Sequence, residues 1–384
     1  MTETPATRGP VTGALSSPGD RARTAAHHAP ADTPARRTVG LVVNPTAGHG
    51  RGGKAGRRTA ELLTRAGVEV VDLTGASVAD AVARARSAAL GGLAALVVVG
   101  GDGMVHLGVN ATVGTPTPLA IVAAGSGNDY AHVLGLPVHD VEASVRQVVA
   151  ALDDPPRRVD AVHVGPHVPG TTSGARAAAP TATAPAGPAT ATAAAAAEGG
   201  WGGRWYAGVL SLGLDADVNA RANTYRWPAG HGRYVRAVLA CLAGFTPYGY
   251  TLTTDDGTRT FRGTLVAVAS SSQFGGGLSI APDAQVDDGH LDVVYATELS
   301  RRGILRLFPR LYRGTHLSHP AVHVLRTRSV VVTASGEGRV PPVAFADGEV
   351  VGPVPLRVEV HPGALHVLAG PAQPARTARV TGSF

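Results

Sequence analysis

The stretch Val97-Val98-Val99-Gly100-Gly101-Asp102-Gly103 decides the fold. A short β-branched run bounded by glycines reads as a buried strand of a parallel sheet. The glycines let backbone N–H groups turn toward an anion, and a helix starting near Met104 adds its positive N-terminal end. An aspartate in that position would repel a bare phosphate. Asp102 makes chemical sense when a divalent cation stands between it and the phosphates.

Working outward, the same strand–loop–helix unit repeats. Thr38–Val43 reads as a strand closed by Asn44-Pro45, followed by a glycine-rich basic loop, Thr46–Lys54, and a helix ending near Gly67. No Gly-Lys-Ser/Thr follows at the required spacing, so the loop is not a Walker A loop. Val68–Leu73 is a second strand. Ser77 with Asp80 marks a capped helix start, and Gly91-Gly92 stops that helix after Leu90. Pro118–Val122 is the next strand, closed by Ala124-Gly125-Ser126-Gly127-Asn128-Asp129, and Asp140–Leu152 reads as a helix. Such alternation predicts a parallel sheet with helices on both faces and ligand loops at the strand C-termini. After Arg204 the pattern becomes many short strands with three helices, at Asp215–Arg226, Tyr234–Gly244 and Arg301–Tyr312, which predicts an antiparallel sandwich. The expected class is α/β, a parallel-sheet nucleotide-binding domain plus an antiparallel β-sandwich second domain. The expected boundaries are 38–158 for the first, completed by 361–372, and 159–360 for the second.

Composition sets bounds. The 384 residues suffice for two domains of ordinary size. Residues 1–37, rich in Pro, Thr and Ala without periodicity, read as a disordered tail, and 165–203 as a low-complexity insert. The formal charge of +6 suits an anionic ligand or membrane surface. Lys54 is the only lysine. The single Cys241 excludes a disulfide scaffold and a cysteine-based zinc site, and its apolar helical setting reads as an inert thiol. No apolar run is long enough for a transmembrane helix and no secretory signal stands at the N-terminus. The expected location is therefore cytoplasmic, with any membrane contact peripheral. Neither an aromatic-basic platform nor a clustered basic helix marks the chain for nucleic acid.

Three further segments carry chemistry: Gly125–Ala131; Asp287-Asp288-Gly289-His290-Leu291-Asp292; and Asp347-Gly348-Glu349. An Asp-Gly pair between strands is also a common turn signal. In order with Asn44-Pro45 and Gly100–Gly103, however, these segments resemble the diacylglycerol kinase catalytic family, which includes bacterial diacylglycerol kinases and sphingosine kinases. The resemblance spans roughly 38–164 and 204–370. It implies that Asn44, Gly101, Gly103, Gly125, Ser126 and Asn128 line an ATP site, and that Asp102 and Asp129 hold Mg²⁺ and phosphate through water. It further implies a second metal site formed by the Gln285 side chain, the Asp288 carboxylate and the His290 carbonyl, with Glu349 as the base that accepts the lipid hydroxyl's proton.

The residue types suit that chemistry. Phosphoryl transfer needs positioning, cations on the phosphate oxygens and a carboxylate near the attacking hydroxyl. The expected activity is ATP- and Mg²⁺-dependent phosphorylation of diacylglycerol or a related lipid at the inner membrane face, with homodimer formation left open. A non-catalytic nucleotide- or lipid-binding regulator and an NAD kinase, which shares Gly-Gly-Asp-Gly, are the alternatives. Two departures from the family pattern stand out. Met104 replaces the usual Thr, and Leu107 occupies the place of a common Glu, whereas Asn110 matches.

Overall fold

Strand β3 (Ala95–Gly100) is buried along its whole length. It pairs in parallel with β1 (Thr38–Val43) on one side and β4 (Leu119–Ala123) on the other. Strand β2 (Glu69–Asp72) extends the sheet beyond β1, again in parallel. The computed structural model describes residues 37–45, 47–168, 203–225 and 231–370. The tail and insert expected at 1–37 and 165–203 lie outside the described residues except at their edges.

Alternation along β3 sends Leu96 and Val98 to one face and Val97 and Val99 to the other. Helices α2 (Val78–Leu90) and α3 (Asp102–Thr112) cover the first face. Helices α1 (Ala47–Arg65) and α5 (Val141–Ala151) cover the second, while the short α4 (Asp129–Val133) follows β4. Ser77 caps α2 as expected: its Oγ accepts from the Asp80 N–H at 3.2 Å, and Asp80 returns a carboxylate oxygen to the Ala76 N–H.

Past β5 (Arg157–Pro166) pairing becomes antiparallel. Strands β6 (Arg204–Tyr206) and β7 (Val209–Gly213) lead to helices α6 (Leu214–Thr224) and α7 (His231–Ala243). Strands β8 (Tyr248–Thr254), β9 (Gly257–Ala269) and β10 (Leu291–Thr297) precede helix α8 (Arg301–Tyr312). Strands β11 (Val322–Thr327), β12 (Ser329–Ala334), β13 (Ala344–Ala346), β14 (Glu349–Gly352) and β15 (Leu356–Val367) follow. These strands form the sandwich-like second half, with a core from Tyr206, Leu210, Tyr248, Tyr250, Val293 and Leu356. Strand β15 joins the halves. Its body runs antiparallel to β5 and β12, and its last residue pairs in parallel with Leu119 of β4.

Two places in the second half depart from continuous strand patterning. The apolar run Trp205–Leu212 is split into β6 and β7 at Ala207-Gly208, where the Asp347 carboxylate draws in the N–H groups of Ala207, Gly208 and Val209. That partner lies far along the chain, where local patterning cannot report it. Conversely, the segments on either side of Pro362-Gly363 belong to one strand, β15, carried through an irregularity where Gly363 takes φ +62°.

Candidate active site

The loops after β1, β3 and β4 meet at the C-terminal edge of the parallel sheet, where such sheets bind ligands. The Asn44 N–H donates to the Val99 carbonyl at 3.1 Å, fixing the end of β1 beside Gly100. Backbones of the β3 and β4 loops touch: a Cβ on Gly125 would stand 2.3 Å from the Gly101 Cα. Any larger residue at Gly125 would therefore push the loops apart. Asn128 braces the second loop from within, its Oδ1 accepting from the Gly125 N–H and its amide donating to the Gly125 carbonyl, both at 3.0 Å. It holds φ +57°, a left-handed conformation that Asn tolerates better than most residues. Asn128 is buried, so its amide serves the loop, while Ser126 stands exposed at the tip.

Asp102 opens α3. Its Oδ1 accepts from the Tyr130 N–H at 3.3 Å, and its Oδ2 lies 2.7 Å from where a Gly127 Cβ would be. Asp129 Oδ2 flanks the same Gly127 position at 3.5 Å. Burial, with the negative charges of Asp129 and Asp347 adding to it, pushes the Asp102 carboxyl up to about 6. Glu349, exposed at the start of β14, reaches this loop from the second half of the chain: its Oε1 would lie 3.2 Å from a Cβ on Gly103. Gly103 thus leaves the room that the Glu349 carboxylate uses.

Asp129 is more engaged than the sequence indicates. Its two oxygens accept from the N–H groups of Gly276 and Gly277 at 2.8 and 2.7 Å. Gly275, Gly276 and Gly277 all have positive φ, so consecutive amides turn toward one carboxylate. Asp129 therefore clips a glycine turn of the second half onto the loop after β4.

The 285–290 turn is held differently. Arg326 donates to Asp288 Oδ2 at 2.6 Å, and the His290 N–H donates to Asp288 Oδ1 at 2.9 Å. His290 Nδ1 lies 2.8 Å from the Asp288 carbonyl oxygen, while Gln285 is exposed. Buried Asp160, on β5, anchors the turn by accepting from the N–H groups of Gly289 and Gly363 at 2.6 and 2.9 Å. A cation at Asp288 would have to displace the Arg326 guanidinium. Burial pushes the Tyr130 phenol well above its usual range, with the charges of Asp347, Asp160 and Asp287 adding to the shift and that of Arg157 opposing it.

Asp102, Asp129 and Glu349 are thus brought together around the two glycine loops, with Asn44 at their edge. Met104 and Leu107, where the family pattern has Thr and Glu, are both buried in the core beneath the sheet edge. Asn110 does not face the loops. Its amide brackets Trp205, donating to the carbonyl at 2.8 Å and accepting from the N–H at 3.0 Å, which ties α3 to β6.

Sequence reasoning assigned no role to Asp347, His106 or Asp160. Asp347 sits in the Asp-Gly-Glu segment at φ +51°, with His106 Nδ1 3.6 Å from its Oδ2. Its place in that segment was the available signal. Asp160 sits inside a strand and nothing nearby in sequence marks it.

The donor set around Asp102 is all oxygen, which is what Mg²⁺ accepts. Among the described residues no three His, Cys, Asp or Glu side chains stand close enough to cage an ion alone. A divalent cation here would complete its shell with phosphate oxygens and water, the usual arrangement in phosphoryl transfer. The raised Asp102 carboxyl fits this, because an uncompensated carboxylate among like charges gains most from a cation.

Comparison with known proteins agrees with the geometry. Residues 38–164 match the family described as the diacylglycerol kinase catalytic domain. Residues 208–369 match the YegS C-terminal NAD kinase beta sandwich-like domain. The chain is 32% identical over 332 residues to a diacylglycerol kinase of Mycobacterium tuberculosis strain H37Rv, covering 86% of this chain and 94% of the relative. It is 21% identical over 303 residues to the diacylglycerol kinase of Bacillus subtilis, covering 77% and 85%. A crystal structure of a diacylglycerol kinase from Bacillus anthracis superposes with a TM-score of 0.58 at 16% identity, over 87% of this chain and 97% of the other, and shares the fold.

Proposed function

This chain belongs to the diacylglycerol kinase catalytic-domain family, and from that premise we propose that it transfers the γ-phosphoryl group of ATP to the hydroxyl of diacylglycerol or a related lipid. The observation that carries the reading is the crowding of Asp102 by Asp129 and Asp347 at a glycine-lined strand end, with the Glu349 carboxylate reaching the same loop. That is the electrostatic pattern of a site built for a cation-bound polyphosphate next to a general base.

In this reading the Gly101 and Gly125 backbones, packed so that no Cβ fits at Gly125, face the triphosphate, with Asn44 and Ser126 at its edges. Asp102 and Asp129 would hold Mg²⁺, which supplies charge neutralisation on the phosphate oxygens. Asp129 also keeps the Gly276-Gly277 turn against the loop, so it positions as well as charges the site. Glu349 takes the proton from the lipid hydroxyl as that oxygen forms its bond to the γ-phosphorus, and the bond to the bridging oxygen breaks, releasing ADP. The Gln285, Asp288 and His290 turn is proposed as a second cation position only in exchange with Arg326. The second half of the chain also holds an apolar cavity, lined by Leu214, Val218, Leu265, Phe274, Leu278 and Leu307, whose chemistry suits an acyl chain.

The test is incubation of the folded protein with labelled ATP, Mg²⁺ and mixed micelles of diacylglycerol, followed by lipid extraction. Label in a phosphorylated lipid, abolished by Glu349→Gln, is the expected result. Absence of label from every lipid offered would overturn the proposal.

A further inference from the structure

Helix α8 combines features that the transfer chemistry does not use. It starts at Ser300, whose Oγ accepts from the Gly303 N–H at 3.1 Å. From Leu299 to Thr315 the chain carries five arginines, at 301, 302, 306, 310 and 313, and no acid, so the expectation that the chain has no clustered basic helix does not hold here. Among the described residues none of the five pairs with a carboxylate, and Arg310 donates to the Ser318 hydroxyl. The inner face of α8 is apolar: Ile304 and Leu307 are buried, and with Phe308 and Leu311 they wall the apolar cavity of the second half.

The outer face is the unusual one. Arg302, Leu305, Arg306, Pro309, Tyr312 and Arg313 recur at helical spacing, and all are exposed. Leu305 is 49% exposed and Tyr312 42%, set among guanidinium groups. Lone exposed apolar side chains are common on protein surfaces, but here two large ones share one helix face with Arg302, Arg306 and Arg313. Interleaved arginines, leucine and tyrosine match an interfacial helix, whose cations meet lipid phosphates while its apolar side chains enter the headgroup layer. A soluble acidic partner would account for the arginines but would leave the exposed Leu305 without a role.

We propose that α8 seats this protein on an anionic bilayer, with the cavity that α8 walls facing the lipid. The inference rests on the lipid-kinase reading for its purpose, but its test does not. Full-length protein is sedimented with vesicles of phosphatidylcholine alone and of phosphatidylcholine containing roughly 30% phosphatidylglycerol, at low and high salt. Binding to the anionic vesicles only, released by salt, is expected. Each arginine near a charged surface contributes roughly fivefold in affinity, so Arg302→Gln with Arg306→Gln should weaken binding about 25-fold. Leu305→Gln with Tyr312→Ser should weaken it further at unchanged charge. Arg259→Gln, an exposed arginine on β9, serves as the control and should bind as wild type.

Equal binding to neutral and anionic vesicles, or wild-type binding by the α8 variants, would overturn the proposal. Loss with the arginine pair but none with Leu305→Gln and Tyr312→Ser would assign the patch to a soluble polyanion and likewise overturn it. The assay involves neither ATP nor turnover. Failed label transfer in micelles therefore leaves this result standing, and failed vesicle binding leaves label transfer in micelles standing.

Discussion

Asp102 and Asp288 each precede a glycine at a turn, and the protein treats them in opposite ways. Asp102 is buried among like charges, and although the backbone N–H groups of Tyr130 and Asn128 favour its charged form, its carboxyl is pushed up to about 6. Asp288 has Arg326 at 2.6 Å on one oxygen and a backbone N–H at 2.9 Å on the other. One carboxylate is left wanting a cation and the other already has one. In the proposed reading this difference separates a ligand site from a turn whose charge is answered by its own chain, and motif spelling alone does not separate them.

Substitutions test whether the two carboxylates differ in this way. The largest effect is expected at Glu349, which shares the Asp102 loop and is exposed. Glu349→Gln should keep its melting temperature and lower kcat by about 10²–10⁴, measured by label transfer to lipid. Asp347→Ala comes next, since three backbone N–H groups lose their acceptor. A loss of about 3 kcal/mol is expected by denaturant unfolding, along with a weakened site. Gly125→Ala should cost about 1–3 kcal/mol through overpacking against Gly101 and reduce nucleotide affinity in a calorimetric titration. Arg326→Gln should be the mildest. Its guanidinium is about half exposed, so the change in stability is expected to stay below about 1 kcal/mol. A large loss of activity from Arg326→Gln would show that the 285–290 turn matters to catalysis as much as the Asp102 loop does.

Much of this was legible because it is local. The β-branched run at 97–99, the Ser77 cap and the glycine loops have short-range causes, and they place Asp102 and Asn128 at the edge of a parallel sheet. What escaped the sequence depends on contacts between distant segments. The break at Ala207-Gly208 is made by Asp347, and the grip of Asp129 on Gly276 and Gly277 spans the two halves. Pairing of Asp288 with Arg326 crosses from the turn before β10 to β11. The Asp-Asp-Gly segment therefore read as a ligand set, while its actual partner, an arginine on the neighbouring strand, had no signature. Asn110 shows the reverse: its match to the family is visible, but its work, bracketing Trp205, is structural.

In the proposed reading Asp102 is held in unfavourable like-charge surroundings until a cation arrives. A carboxyl raised from 3.8 to about 6 binds its proton more tightly in the folded state than in the unfolded one. Stability should therefore be undiminished below about pH 4 and fall as pH rises through 6, by about 3 kcal/mol in total. The direct measurement is thermal unfolding of the ligand-free wild type and Asp102→Asn across that range. The account predicts a variant that is more stable above pH 6 with a flatter profile, and a wild type that regains the difference with Mg²⁺ and ATP. A variant no more stable than the wild type at neutral pH, with parallel pH profiles, would contradict it.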